Sequence, residues 1–177
     1  MRLRGLRHAD LFELQALGRD ARSSRALLDA PVDTLAAAAA LVDHANRVYA
    51  DRPGLGIWRA DDAQGRFLGF FSLMAEFAAT EVEIGTRLLP IAWGRGYALE
   101  GGAALCTHAF DTLGLPSLLG LCDPHNRSVP PLLARLGFVP DGETEQFGNR
   151  ALRFILARSE WAGVRPRGRG ADSRPHD

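Results

Sequence analysis

The chain has 177 residues, of which 46% are hydrophobic, which is enough for one sizeable core and too little for two. Its 21 acidic and 21 basic residues balance, so no overall field favours nucleic acid or an anionic membrane as a partner. Two cysteines without metal-ligand spacing, and no long apolar run, predict a cytoplasmic protein without disulfides, bound metal or membrane segment.

The first half of the sequence contains both strand and helix patterns. The five residues from Asp61 to Gly65 suit the turn of an antiparallel hairpin. A run of five alanines, residues 36–40, favours a helix that ends before Pro53. The predicted strands are 2–6, 56–60 and 67–75, and the predicted helices are 9–17 and 31–50.

The second half continues with strands separated by two helices. Gly114 and Gly137 directly follow the helical patterns, as is typical of helix ends. The order predicts a single-domain α/β (α+β) fold with a mixed, mostly antiparallel central sheet flanked by helices. The predicted strands are 81–89, 118–122, Phe138 and 151–157, and the helices are 97–113 and 130–136.

We assign residues 1–160 to this domain and residues 161–177 to a tail. The tail is rich in arginine and glycine and lacks the apolar residues of a core, so it is predicted to be disordered. Such a segment can touch RNA, but a passive extension is the favoured interpretation. Nucleic acid is therefore not an expected partner.

A glycine-rich loop lies between the predicted strand 81–89 and the helix that follows. Gly94 and Gly96 leave peptide N–H groups uncovered, and a helix start adds unpaired donors and partial positive charge, which together suit a pyrophosphate. The dinucleotide fingerprint would need a glycine at Leu99, and a P-loop would need a lysine, which this chain lacks. A plain loop is the alternative.

The blocks around this loop resemble the GNAT N-acetyltransferases, and among them the type that acetylates ribosomal proteins. The resemblance covers residues 1–157 and implies the same order of strands and helices. The segments that carry it are Arg2 to Leu6, Asp10 and Leu11, Glu83 to Pro90, Trp93 to Ala98 with Glu100, Cys122 to Asn126, and Leu132 to Phe138.

The resemblance implies acetyl-coenzyme A (acetyl-CoA) as cosubstrate. The loop backbone would hold its pyrophosphate, while Leu88 and Leu89 would pair with the pantetheine arm and polarise the thioester carbonyl. Arg95 is a candidate phosphate contact, and Trp93 stands where many members carry arginine or glutamine. The expected binding residues are Leu88, Leu89, Trp93, Gly94, Arg95, Gly96, Tyr97, Ala98 and Asn126.

Acyl transfer to an amine also needs a base. Glu81, Glu83 and Gly85 share one face of their strand, and Glu83 is the first candidate, with Glu76 in reserve. A solvated or arginine-paired glutamate is the alternative interpretation of Glu83.

The proton donor departs from the family pattern, because no tyrosine follows Asn126 in the chain. Asn126 is the candidate contact for the pantetheine arm or carbonyl, with an Asx turn as the alternative. Ser128 and His125 complete the catalytic candidates, although Ser128 also suits a helix cap.

The acceptor stays open at this point. We predict N-acetylation of a primary amine, on a protein amino terminus or a small molecule, by direct attack in a ternary complex. The alternative is a non-catalytic acyl-CoA-binding sensor or interaction module, and a homodimer is compatible with either. Asp29, Asp33 and Glu76 would suit a cationic amine, whereas Arg19, Arg22 and Arg25 would suit a carboxylate or an acidic protein surface.

Overall fold

The computed structural model describes residues 1–75 and 81–164, which form one sheet of seven strands with four α-helices. The predicted α/β fold with a mixed, mostly antiparallel sheet is therefore confirmed. The strands are β1 (Arg2–Gly5), β2 (Gly56–Asp61), β3 (Phe67–Ala75), β4 (Val82–Leu88), β5 (Ser117–Cys122), β6 (Val139–Gln146) and β7 (Asn149–Ala157). The helices are α1 (Leu11–Arg19), α2 (Leu35–Asp51), α3 (Tyr97–Thr107) and α4 (Val129–Leu136).

The strand order in the sheet is β1-β2-β3-β4-β5-β7-β6. Every neighbouring pair is antiparallel except β4 and β5, which run parallel. Within these two described strands the register contains one pair, Glu83 with Leu119. The strands are therefore unpaired beyond this point, and the sheet opens into a cleft along the second half of β4.

Two hydrophobic layers cover the sheet. On one face, α3 and α4 pack on β3, β4 and β5 around the buried Phe71, Phe110 and Leu136. On the other face, α1 and α2 enclose Leu14 and Val42. Both faces of the sheet are therefore well packed, so the core fixes the walls of the cleft between β4 and β5.

Glycines in α3 let this helix approach the sheet closely. A Cβ at Gly101 would lie 2.2 Å from the ring of Phe71, and one at Gly102 would lie 2.7 Å from Leu136. The cost of about 1 kcal/mol that each glycine brings to a helix interior is thus offset by packing. The contact with Phe71 places α3 directly against β3.

A buried ion network joins α1 to β2. Arg59 is 6% exposed and donates hydrogen bonds to Asp10 (2.9 Å), Asp61 (2.7 Å) and Glu13. Asp10 is 1% exposed and accepts a further hydrogen bond from Arg4 at 2.6 Å. Because each buried charge meets an opposite one, the network avoids the cost of an unpaired ion.

Some element limits differ from those predicted. Helix α2 begins at Leu35 and not at Pro31, because Thr34 caps it by accepting the N–H of Ala37 at 3.1 Å. Helix α3 gives way to a π-helical turn at His108–Thr112, where His108 Nε2 lies 2.9 Å from the carbonyl oxygen of Gly54.

The end of the chain also differs from expectation. Strand β6 runs from Val139 to Gln146, although only Phe138 suggested a strand, because its polar residues form an exposed edge beside β7. Trp161 packs near Phe110 with ring centroids 6.2 Å apart, so packing reaches past the predicted domain limit. Residues 165–177 of the predicted tail, and Glu76, lie outside the described residues.

Candidate active site

The glycine loop presents free backbone donors at the start of α3. Gly94 and Gly96 have φ angles of +70° and +86°, and a Cβ built at either would meet nothing within 4 Å. Gly96 occupies the N-cap position, so the first-turn N–H groups have no helical acceptor. Among the described residues no acceptor is bonded to the N–H groups of residues 94–98. The loop is shaped to receive an anion.

Trp93 links this loop to the end of β4. Its indole Nε1 donates a hydrogen bond of 2.9 Å to the carbonyl oxygen of Leu88, while its ring is 48% exposed. Ser23 Oγ reaches the same oxygen at 3.3 Å. Arg95 is exposed at the tip of the loop. The side chain of Trp93 therefore holds the loop in place. The groups in the loop that remain available to an anion are the backbone N–H groups and Arg95.

The direction of the β4 peptides decides which of them face the cleft. The N–H of Leu89 donates to the carbonyl oxygen of Leu68 in β3 at 2.8 Å. In an antiparallel pair successive residues point their peptide groups to opposite sides. Thr86 and Leu88 therefore turn their N–H groups away from β3, towards the side where β5 no longer pairs.

An inner cavity lies at this opening. It has a volume of about 80 Å³ and is bounded by Gly85 and Thr86 of β4, Leu121 of β5, Gly102 of α3 and Val129 of α4. Leu132, Leu133 and Leu136 of α4 complete one wall, so this wall is apolar. A narrow apolar slot beside unpaired strand N–H groups suits an extended arm with amide groups.

A larger outer cavity of about 700 Å³ adjoins the inner one. Gly85, Thr86, Leu121 and Val129 line both, so the two meet at the opening between β4 and β5. The outer cavity is also lined by residues of the segment between α1 and α2, of α2, and of the turn between β6 and β7. A molecule in the outer cavity can thus reach the end of a group held in the inner one.

Glu83 lines the outer cavity. Gly85, two residues further on the same face, lines both cavities. Glu81 is instead bound by Arg153, with contacts of 2.6 and 3.1 Å, and this guanidinium lowers the pKa of Glu81. A carboxylate so stabilised is a poor base. Of these two glutamates, only Glu83 borders the cavities.

Of the polar residues in the segment after β5, Asn126 lines the outer cavity and Ser128 does not. Asn126 lines the outer cavity, and its Oδ1 accepts hydrogen bonds from Ser128 Oγ (2.7 Å) and Ser128 N (3.3 Å), which is an Asx-type turn. Ser128 occupies the N-cap of α4, but its side chain makes no capping bond. Neither cavity is lined by Ser128.

His125 faces solvent. Its side chain is 92% exposed and its Nδ1 lies 3.0 Å from Asp123 Oδ1, outside the lining of both cavities. The backbone N–H of His125 donates to the same carboxylate at 2.6 Å, which lowers the pKa of Asp123. Asp123 does line the outer cavity, so this turn contributes a carboxylate to the cavity and not an imidazole.

Both cysteines are unsuited to nucleophilic catalysis. Cys106 is fully buried, and burial raises the pKa of its thiol to about 12. Cys122 lines the outer cavity, but burial, followed by the charge of Asp123, raises the pKa of this thiol too. The thiolate is the reactive form, so neither residue offers it at neutral pH.

The outer cavity contains residues that the sequence did not single out. Arg87 is 8% exposed there and forms an ion pair with Asp29 at 2.6 Å. It shares the strand face of Glu83 at a spacing of four, and that alternation was the available signal. Phe147 also lines the cavity and is 68% exposed, at a φ angle of +50° in the turn between β6 and β7.

The other charged candidates for the acceptor lie elsewhere. Arg19 donates to the carbonyl oxygen of Asp33 at 2.9 Å, and Arg22 pairs with Asp20 at 3.2 Å. Arg25 and Asp33 are exposed and do not line the cavity. Of the charged residues considered from the sequence between α1 and α2, Asp29 alone lines the outer cavity.

Neither a metal-binding cluster nor a membrane-spanning helix is found in the described residues. No group of three or more His, Cys, Asp or Glu side chains in residues 1–75 and 81–164 is arranged to hold a metal ion. None of the helices in these residues combines the length and the apolar character needed to cross a membrane.

The sequence profile of the Acetyltransferase (GNAT) domain matches residues 1–139. The chain therefore belongs to the GNAT acetyltransferase family, whose members use acetyl-CoA as cosubstrate. The FsC-acetyl coenzyme A-N(2)-transacetylase of Aspergillus fumigatus is 29% identical over 128 residues, which are 62% of this chain and 53% of that protein. The chain thus spans about half the length of this curated relative.

Two solved structures share the fold. The spermidine N-acetyltransferase from Vibrio cholerae, in complex with CoA and spermine, aligns with a TM-score of 0.75 and 19% identity over 90% of this chain and 96% of that one. An acetyltransferase from Agrobacterium tumefaciens aligns with a TM-score of 0.75 and 26% identity over 87% and 88% of the two chains. The narrower resemblance to the ribosomal-protein type stays a prediction.

Proposed function

We propose that this protein is an acetyl-CoA-dependent N-acetyltransferase that acts on a primary amine. One observation carries the proposal: a loop of free N–H groups leads along the unpaired half of β4 into a cavity that holds Glu83. Family membership supplies the cosubstrate, and the relatives named for N-acetylation support the reaction class.

The fit of acetyl-CoA rests on the chain's own geometry. The N–H groups of residues 94–98 offer donors to a pyrophosphate, and the open space at Gly94 and Gly96 lets phosphates approach the backbone. Thr86 and Leu88 offer N–H groups for the pantetheine amides or the thioester oxygen. Leu89 is not assigned this role, because its N–H is already bonded to Leu68.

The bound acetyl-CoA supplies an acetyl group as a thioester. In our proposal Glu83 accepts a proton from the acceptor amine, which attacks as the neutral species. Backbone N–H donors of β4 stabilise the negative charge that develops on the acyl oxygen. In other enzymes, removal of one such donor raises the activation free energy by about 3 to 4 kcal/mol. Asn126 orients the arm through its amide nitrogen, because its oxygen is held by Ser128.

Attack is direct in this scheme, since neither cysteine offers a thiolate at neutral pH. The wall of α4 beside the inner cavity is apolar, with Val129 and Leu132 at its near end. We therefore assign protonation of the leaving thiolate to water, and give His125 and Ser128 no catalytic role, because they do not line either cavity.

The same wall is apolar and offers no proton donor to a leaving thiolate. This supports a second candidate function, that of a domain that binds acyl-CoA without turnover. The test is release of free CoA thiol from acetyl-CoA in the presence of a panel of amines, with mass spectrometry of the acceptor. Both cysteines are buried, so the protein adds little thiol background. Amine-dependent thiol release supports the enzyme. Tight binding of acetyl-CoA without any acetylated product would support the binding module.

A further inference from the structure

We propose that the acceptor amine belongs to a small molecule that also carries a carboxylate, and that Arg87 binds this carboxylate. The inference rests on the proposed function, because it concerns the acceptor side of the same site. It narrows the acceptor from any primary amine to amino acids and compounds with the same pair of groups.

Arg87 is a buried cation with unused donors. The residue is 8% exposed, and among the described residues its Nη1 has no hydrogen-bond acceptor. A guanidinium offers five N–H groups in a planar fork that matches a carboxylate. Leaving a buried charged donor unsatisfied is costly, so an oxygen ligand that completes the fork gains binding free energy.

The existing contacts of Arg87 indicate the chemistry of that ligand. Nη2 donates to Asp29 Oδ1 at 2.6 Å, and the guanidinium carbon lies 5.5 Å from the centroid of the Phe70 ring. Asp29 comes from the segment between α1 and α2, and its side chain is 47% exposed. A carboxylate thus already reaches one arm of the fork from the solvent side. The other arm, Nη1, is buried, so a carboxylate in the cavity binds it once the guanidinium turns towards the cavity.

The position of Arg87 along β4 sets the distance to the reaction centre. Glu83, Gly85 and Arg87 occupy one strand face, and all three line the outer cavity. At about 3.3 Å per residue, Glu83 and Arg87 are about 13 Å apart along the strand, with the opening to the inner cavity between them. An amine at this opening lies between the base and the guanidinium, so a carboxylate a few bonds away can reach Arg87.

A polyamine is the competing occupant. Asp29, Glu83 and Asp123 also line the cavity and would attract cationic groups. However, a polyamine places a further positive charge near Arg87 and leaves Nη1 without an acceptor, whereas a molecule with one amine and one carboxylate satisfies both ends. The contacts of Arg87 therefore favour the carboxylated amine.

The test compares acceptors that differ only in the carboxylate: lysine with cadaverine, ornithine with putrescine, and phenylalanine with phenethylamine. We expect the wild-type protein to acetylate the carboxylated member of at least one pair with a kcat/KM about tenfold to a hundredfold higher, the range for a lost hydrogen bond to a charged group. Arg87→Gln should abolish this preference mainly through KM. The exposed Arg22→Gln is the matched control and should keep it.

Asp29→Asn provides a second variant that does not depend on removing a buried residue. It takes away the competing carboxylate and leaves Arg87 in place, so the KM for the carboxylated acceptor should fall while the KM for the diamines does not. Calorimetric binding of lysine and cadaverine to each variant, in the presence of CoA, gives a readout that is independent of turnover. Unchanged affinity for acetyl-CoA shows that a variant is folded.

The outcomes separate the two proposals. Equal or better use of the decarboxylated amines by the wild-type protein would overturn the inference about Arg87 and leave the acetyltransferase intact. A carboxylate preference that survives in Arg87→Gln would overturn it as well. If no amine is acetylated, the proposed function fails, and the calorimetric comparison of lysine with cadaverine then decides the assignment of Arg87 by itself.

Discussion

Glu81, which directly precedes β4, and Glu83 of β4 have different surroundings. Glu81 is held by Arg153, which also contacts Asp141 at 2.7 Å, whereas Glu83 borders the cavity where an acceptor would lie. A base must reach the amine and take up a proton, and a carboxylate locked in an ion pair does neither well. In our proposal the position of Glu83 at the cavity, and not a difference in residue type, makes it the base.

We expect Glu83→Gln to lower kcat by about a hundredfold or more, which is the usual contribution of a general base. The affinity for acetyl-CoA should stay the same, because the loop is untouched, and the rise of kcat/KM with pH should be lost or shifted. Initial rates measured across pH, together with a binding titration, test this expectation.

The control for this variant is Glu81→Gln, which changes the same residue type two positions earlier in the chain. It removes an ion pair with Arg153, so it should affect stability and leave the pH profile of the reaction as in the wild-type protein. Identical pH profiles for all three proteins would remove Glu83 from the mechanism.

In the sequence, strand alternation groups Glu83 with Glu81 and Gly85, but alternation alone cannot show which face borders the cleft. It could not predict Arg153 as the partner of Glu81, because these residues are 72 positions apart and meet only in the folded sheet. His125 was chosen for its intrinsic pKa, but the turn after β5 directs its ring into solvent. Alternation places Arg87 on the same face, but its burial and its ion pair with Asp29, 58 positions away, exist only in the folded sheet.

At the scale of elements, the turn between β6 and β7 contains a residue in an unfavourable conformation. Phe147 and Gly148 have φ angles of +50° and +76°, the pattern of a type I′ turn, in which asparagine and glycine are favoured. Asn149 ties the start of β7 to the carbonyl oxygen of Leu28 at 3.0 Å. Since Phe147 lines the outer cavity, the strained residue stands at the candidate acceptor site.

We expect Phe147→Asn to stabilise the fold by about 0.5 to 1 kcal/mol, because asparagine adopts positive φ more readily, and thus to raise Tm by a few degrees. The same change removes an apolar wall of the outer cavity, so the KM for the acceptor should rise. Thermal unfolding and acceptor kinetics measure the two effects. Phe12→Asn, at a 73% exposed phenylalanine outside the cavity, should produce neither.

A fall in stability of Phe147→Asn would show that the ring contributes packing and that the turn is not strained. An unchanged KM would show that the acceptor does not contact this turn.

At the scale of the whole molecule, the network around Arg59 makes the fold sensitive to acid. Burial alone would raise the pKa of Asp10, but hydrogen bonds from Arg4 and from the N–H of Arg7, and nearby positive charges, lower it overall. A group whose pKa is lowered by folding stabilises the fold above its unfolded value of about 3.9 and loses this contribution as pH falls further.

We expect Asp10→Asn to lower the free energy of unfolding at neutral pH by about 3 kcal/mol or more, because Arg59 loses a buried partner. The remaining stability should then decline less steeply than that of the wild-type protein below pH about 4. Urea unfolding at several pH values tests both points, with the exposed Asp51→Asn as control. Parallel curves for wild-type and Asp10→Asn would contradict this assignment.

The order of elements could be predicted because each helix and most strands carry their own periodicity and end signals. The parallel contact of β4 with β5, and its early end at Glu83, depend on two segments brought together by α3. Strand β6 was not predicted, because its residues are polar and exposed and carry no apolar alternation. It is stabilised by pairing with the neighbouring strand β7. The cleft itself is thus a property of the assembled sheet and not of any one segment.

Whether the glycine loop binds acetyl-CoA can be measured by calorimetric titration of the wild-type protein and of two glycine variants with acetyl-CoA. Gly96→Glu places a carboxylate where we expect phosphate, and Gly142→Glu places the same side chain at the same φ of +86° in β6, also in open space. Both variants place a glutamate at the same positive φ, and only the first lies in the loop.

We predict binding of one acetyl-CoA per chain to the wild-type protein and to Gly142→Glu. Binding to Gly96→Glu should be weaker by about a hundredfold or more, because like charges placed together cost several kcal/mol. Absence of binding to the folded wild-type protein, or equal binding to all three, would contradict the account of this loop as the acetyl-CoA site.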